Sequence, residues 1–226
     1  MELLSWDTDF FGITIGRAKI ATARDLEIAL RAASDQGVEC LYVVVPGAKA
    51  DPVAAAIRAG SGLTALRLDL ERRGRQVASD AGTVRAAAPD EAGRVAELAA
   101  ALAPASRFAQ DGRFRPERIE EMYRIWALND LRDGKVLVDT TGDRALLTLS
   151  KRPSGLAVGL VYVASVARGT GLGRQLLDAA LAEAAGASLT VATDMRNLEA
   201  VRLYESAGFR ARSIEAVLHV WLDARD

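Results

Sequence analysis

The sequence predicts an α/β protein built on a mixed sheet, with a smaller α/β unit ahead of a larger one. Three observations carry this. Short apolar runs alternate with helical patterns from the first residues onward, the stretch Arg73 to Gly82 is polar and glycine-containing, and a later strand runs into a helix start built from glycine. The expected division is 1–75 for the first unit, 76–82 for a linker and 83–226 for the second.

Along the first unit, LLSWDTDFFGITIGRAKI has aromatic and β-branched residues around Gly12 and Gly16, which predicts a strand or hairpin turning at the glycines. ARDLEIALRAASDQG puts Leu26, Ala29, Leu30 and Ala33 on one helical face and stops at Gly37. ECLYVVVP reads as a buried strand closed by Pro46, ADPVAAAIRAGSG as a short helix with Pro52 in its first turn, and LTALRLDLER as a strand. In the second unit a strand precedes Pro89-Asp90, where a helix begins, and a second helix begins near Pro116. A hairpin turning near Gly142 follows, then the strand SGLAVGLVYVA, the glycine-led helix, the strand SLTVATD, the helix NLEAVRLYESAG and the strand IEAVLHVWL.

Composition excludes several classes. The chain has 226 residues, half of them hydrophobic, and a formal net charge of −1, so no global field draws it to nucleic acid or an acidic membrane. No apolar run reaches the ~18 residues of a membrane span, and the acidic start has no basic n-region, so the expected location is the cytoplasm. A single cysteine, Cys40, excludes a disulfide framework within the chain.

The chemistry concentrates at Ser165 to Gly186. Glycines at 169, 171 and 173 leave bare N–H groups at a helix start, where the helix dipole is positive, and such an end holds a diphosphate. No lysine follows, so this is not a nucleotide-hydrolysing P-loop, and Arg174 occupies the third glycine position of a dinucleotide fingerprint. A glycine-rich turn without a ligand remains the alternative.

Arg168-Gly169-Thr170-Gly171-Leu172-Gly173, after a strand and before an amphipathic helix, resembles the [RQ]-x-x-G-x-[GA] signature of the GCN5-related N-acetyltransferases (GNAT). Asn197, Ala200, Leu203, Tyr204, Gly208 and Phe209 resemble a second signature of the same superfamily. The resemblance implies the acyl-CoA N-acetyltransferase fold, with acetyl-CoA as cosubstrate and no metal. It implies that Arg168 to Gly173 hold the pyrophosphate and that main-chain groups of Val161 and Val163 hold the pantetheine arm where the sheet splays. It further implies that Asn197 contacts that arm and that Tyr204 protonates the leaving thiolate. Tyr204 as a core aromatic and Asn197 as a plain helix cap are the structural alternatives.

LSWDTDFFG, SRFAQDGRF and YRIWALN are similar to the TDP-fucosamine acetyltransferase branch, which implies a dTDP-linked 4-amino-4,6-dideoxy sugar as acceptor, a small-molecule partner and a homodimer. Arg107 and Phe108 then become candidates for gripping a diphosphate and stacking a ring, with Tyr123 and Asn129 on the following helix. A solvated loop and core packing are the competing readings. No acid stands on the strand LAVGLVYVA, so the base is unassigned, and the only histidine, His219, reads as structural before it reads as a base.

Overall fold

The computed structural model describes residues 1–73 and 83–222, so the linker expected at 76–82 falls outside the described residues. The strands are β1 (Glu2–Leu3), β2 (Ile15–Lys19), β3 (Cys40–Pro46), β4 (Gly62–Arg72), β5 (Val84–Ala86), β6 (Lys135–Asp139), β7 (Ala145–Arg152), β8 (Gly155–Val163), β9 (Ser188–Asp194) and β10 (Arg210–Trp221). The helices are α1 (Ser5–Phe11), α2 (Ala23–Asp35), α3 (Ala50–Arg58), α4 (Ala92–Ala100), α5 (Pro116–Asp133), α6 (Leu172–Glu183) and α7 (Leu198–Ser206).

All the strands join one ten-stranded sheet in the order β1-β2-β3-β10-β4-β9-β8-β7-β6-β5. The β2–β3 and β8–β9 pairs are parallel and the others antiparallel. β10, from the end of the chain, lies between β3 and β4, and β4 lies between β10 and β9. The sheet therefore runs through the boundary expected near residue 75.

Local chemistry explains most elements. Thr22 and Asp25 form a capping box on α2, which satisfies orphan N–H groups at its start. The continuous apolar run of β3 is buried on both faces, as a central strand requires. One expectation fails: Ser5–Phe11, read as strand or hairpin, is helical, and Gly12 in the left-handed region ends it. The aromatic content that resembled a strand serves packing instead, because Phe10 and Phe11 settle on the cluster around Tyr42, Phe108 and Phe114. Gly16, read as a turn, lies inside β2.

Helices cover both faces. Leu66 of β4 packs with the α2–α3 cluster, and Leu68 and Leu70 pack with the cluster containing α6, Tyr204 and Phe209. Alternate residues of one strand share a face, so these helices lie on the same side. On the other side, α1, α4, α5 and the connection 101–115 cover Cys40, Tyr42, Val136, Val138, Leu146 and Leu160. Among the described residues, no helix is long and apolar enough to cross a membrane.

Leu218 of β10 is fully buried and belongs to the cluster under α2 and α3. Leu218→Ala should cost about 2–5 kcal/mol. Because β10, late in the chain, bonds β3 and β4 from its first 72 residues, far-UV circular dichroism and tryptophan fluorescence should report one coincident, earlier transition.

Candidate active site

A β-bulge creates the site. Leu147 pairs with Val161 and Leu149 with Val158, so Thr148 alone faces Gly159 and Leu160. Thr148 Oγ1 accepts the N–H of Leu160 at 3.0 Å, which satisfies a main-chain group that the bulge would orphan. A side chain at 159 is excluded, because a Cβ there would stand 2.7 Å from Thr148 Oγ1.

β8 pairs with β9 only as far as Val158–Val191. Beyond that point β8 stays with β7 and β9 stays with β4, so a gap opens between them. Ala164 N–H donates to Arg144 O, and antiparallel alternation then turns the main-chain groups of Val161 and Val163 away from β7, into the gap. The Val163 carbonyl accepts from Arg168 Nε at 3.2 Å, as that orientation requires. The splay expected from the sequence is present at this place.

The gap leads to the start of α6. Gly171 is its N-cap, with φ 88° and no side-chain hydrogen bond, so only a residue tolerant of the left-handed region fits. Gln175 N–H is the first to bond back to Gly171 O, which leaves the N–H groups of the first turn without helical partners. Gly173 permits close packing, since a Cβ there would lie 3.2 Å from Leu203 Cδ2. Together, bare donors, the helix dipole and a strand gap fit a diphosphate joined to an extended polar arm.

A cleft of about 1060 Å³ joins these parts. Of the expected residues, Val161, Val163, Arg168, Gly169, Gly171, Leu172, Gly173, Asn197, Tyr204 and Tyr123 line it. Thr170 does not, and its hydroxyl bonds Ala167 O. Asn197 caps α7 by accepting from Ala200 N–H at 3.1 Å while also facing the cleft, so cap and wall coincide. Tyr204 is 4 % exposed, its ring lies 5.9 Å from that of Phe209, and burial alone pushes its phenol well above the usual range. The phenol therefore keeps its proton across neutral pH. Residues outside the expected set also line the cleft, among them Gln110, Tyr162 and Arg196. The alternation of β8 could have pointed to Tyr162, whereas nothing local marks the other two.

Arg107, Phe108 and Asn129 do not line the cleft, unlike the expectation for an acceptor-binding loop. Phe108 is buried at 3 % exposure in the core. Arg107 lies between the rings of Tyr42 and Phe108, at 4.3 and 4.2 Å from their centroids, and its Nη1 is 2.7 Å from His219 Nε2. A guanidinium only donates, so Nε2 accepts and the His219 proton sits on Nδ1, directed at Asp111. Asp111 also accepts from Trp221 Nε1 at 3.0 Å. The reason for the difference is that two ring faces and a histidine lone pair hold this cation inside, where a bare loop would leave it in solvent. Both His219 nitrogens are engaged, so the histidine is structural. Tyr123 does two things, packing on Trp126 at 5.2 Å and walling the cleft. Trp6, stacked on Phe10 at 5.0 Å, seals the joint between α1 and α5. Burial pushes the Cys40 thiol far above its normal range, against any nucleophilic use.

Burial holds His219 below its usual pKa. The unfolded chain takes up a proton near pH 6.5 that the folded chain refuses, so this group favours folding above pH 6.5 and the benefit fades as pH falls below it. His219 is the only histidine. The melting temperature should drop from pH 7 to pH 5.5, and His219→Gln should flatten that drop; an equally steep drop in the variant would place its origin elsewhere.

Residues 123–211 match the family model described as the acetyltransferase (GNAT) domain. No curated protein matches the sequence. Among solved structures, a Novosphingobium aromaticivorans protein assigned to the GNAT family as an acetyltransferase aligns with TM-score 0.54 and 24 % identity, covering 81 % of this chain and 74 % of its own. A functionally unknown conserved protein of Staphylococcus epidermidis aligns with TM-score 0.67 and 11 % identity, covering 90 % and 82 %. A GCN5-related N-acetyltransferase of Sphaerobacter thermophilus aligns with TM-score 0.55 and 15 % identity, covering 90 % and 69 %. Residues 123–211 are thus similar to a GNAT acetyltransferase domain and the chain has the acyl-CoA N-acetyltransferase fold, a likeness that supports acetyl-CoA-dependent N-acetyl transfer.

Proposed function

We propose that this chain moves an acetyl group from acetyl-CoA to the amine of a small, ring-bearing acceptor, with a dTDP-4-amino-4,6-dideoxyhexose as that acceptor. The observation that carries the reading is the strand gap between β8 and β9, which connects the uncapped start of α6 to the buried phenol of Tyr204. In this reading the N–H groups after Gly171 and the side chain of Arg168 hold the donor's diphosphate. The inward-facing main-chain groups of Val161 and Val163 hold its arm, and Asn197 steadies the same arm from the other wall.

The donor fills the gap from the α6–α7 side, so the acceptor approaches from the side of α4 and α5. That end of the cleft is walled by Ala101, Leu102, Ala105, Gln110, Tyr123 and Tyr162. Tyr123 and Tyr162 offer faces for a sugar or an aromatic ring. The amine attacks the thioester carbonyl, a main-chain N–H of β8 facing the gap steadies the oxyanion, and Tyr204 gives its proton to the departing sulfur. A phenol kept protonated by burial is in the correct state for that last step.

One observation favours a less charged acceptor. Arg107 is withdrawn into the core, so the acceptor end has few cationic groups for a sugar nucleotide's diphosphate. A small amine without phosphates is the second reading. Turnover of a panel holding the dTDP-amino sugar, free amino sugars and simple amines separates the two.

Tyr204→Phe should lower kcat by roughly 10²–10⁴-fold while coenzyme A affinity by calorimetry stays the same. Unchanged kcat would remove Tyr204 as the acid. A coenzyme-binding module without catalysis would show tight coenzyme binding and no turnover in either form.

A further inference from the structure

We propose that Asp130 receives the acceptor's ammonium group and takes its proton; this rests on the acetyl-transfer reading above. Asp130 lies on α5, seven residues after the cleft-lining Tyr123, so the two share a helical face. It reaches the bulge itself, because a Cβ on Gly159 would lie 3.2 Å from Asp130 Oδ2. Gly159 is exposed and lines the cleft at the point where β8 leaves β9. The bulge puts Gly159 on the same face as Leu160, which packs under α4 and α5. The carboxylate thus overlooks the vertex of the gap from the side where the acceptor enters.

The carboxylate is not committed elsewhere. Among the described residues none forms a hydrogen bond or ion pair with it, whereas Asp133 is paired with Arg132 at 2.6 Å. Asp130 also stands in the last turn of α5, where a negative charge opposes the helix dipole. An unpaired acid there works against helix stability, so its place is not explained by the fold. Asp130 stands behind Gly159 and is not itself a lining residue, and the two acids that line the cleft are differently placed. Asp194 is tied to Arg196 through Nε and Nη2 at 2.9 and 2.7 Å, and Glu199 lies in the first turn of α7 on the donor side.

The step balances as follows. The ammonium gives one proton to the Asp130 carboxylate, which passes it to solvent, and the freed lone pair forms the C–N bond as the carbonyl electrons move to oxygen. When the carbonyl re-forms, the C–S bond breaks with its pair on sulfur, and sulfur takes the Tyr204 proton. The second nitrogen proton returns to the Tyr204 oxygen through water. Ammonium and thioester thus become amide and thiol, with one proton released.

The test compares wild type, Asp130→Asn and Asp130→Glu with three acceptors: the dTDP-amino sugar, glucosamine and hydroxylamine, the last being largely unprotonated at neutral pH. Asp130→Asn should lose roughly 10²–10⁴-fold in kcat/KM on the ammonium-bearing acceptors at pH 7. The loss should shrink as pH rises and free amine accumulates, be far smaller with hydroxylamine, and be partly recovered in Asp130→Glu. Coenzyme A affinity should hold, and the melting temperature should hold or rise as the unfavourable charge disappears. Unchanged kcat/KM in Asp130→Asn, an equal loss with hydroxylamine, or a drop in melting temperature would overturn the role of Asp130 alone. A wild type that acetylates hydroxylamine but neither ammonium-bearing acceptor would overturn it as well. A wild type inert toward all three would overturn the acetyl-transfer reading and this inference together.

Discussion

Everything in the site depends on two residues of β8 facing one of β7. Opposite Thr148 stand both Gly159 and Leu160, and the Thr148 hydroxyl takes up the N–H that the mismatch would strand. The extra residue bends β8 and increases its twist, so its partnership with β9 ends at Val158. Each strand keeps its other neighbour, β7 for β8 and β4 for β9, so the sheet opens in its middle while both strands stay paired on the far side. An opening made this way presents main-chain donors and acceptors to a ligand, and they recognise an extended polar arm whatever the side chains are. Chain direction does the rest: β8 runs toward the gap's mouth, and the next helix begins there with its positive end exposed.

A second polar arrangement stiffens the other half. Asp111, His219 and Arg107 form a chain inside the molecule, with Trp221 bonded to the same carboxylate and two aromatic rings enclosing the guanidinium. Asp111 and Arg107 come from the connection before α5, and His219 and Trp221 from β10. The connection that walls one end of the cleft is thereby fastened to a central strand of the sheet. Both His219 nitrogens and both Asp111 carboxylate oxygens are bonded, and such interior networks fix one arrangement where plain apolar contact would tolerate several. Tyr42, whose ring lies 4.3 Å from the Arg107 guanidinium, is buried beside the network.

Much of this was legible in the sequence, and the exceptions share a cause. The periodicity of Leu26, Ala29 and Ala33, the apolar run of β3 and the glycines before α6 announce their elements because each signal is local and strong. Ser5–Phe11 misleads, since its aromatic residues are placed for contacts with Phe108 and Phe114 about a hundred positions away. The two ends of the chain read as separate stretches because strand order is invisible locally, and nothing in IEAVLHVWL says that it will lie between β3 and β4. At the site, Gly171 and Asn197 are legible because a bare helix start and a cap are short-range devices. Arg107 is misread because whether an arginine meets solvent, a ligand or a ring depends on partners brought from other strands.

The sequence alone determined the alternation of strands and helices, the uncapped helix start and the spacing that sets Asn197 and Tyr204 two turns apart. These depend on neighbours within a few residues, where periodicity, φ preference and capping act directly. Only the tertiary structure decided that the sheet is continuous, that it parts after Val158, that Arg107 turns inward and that Asp130 lies beside Gly159. Each of those depends on register and packing between segments far apart in the chain, and contacts of that range leave no pattern in the order of the residues.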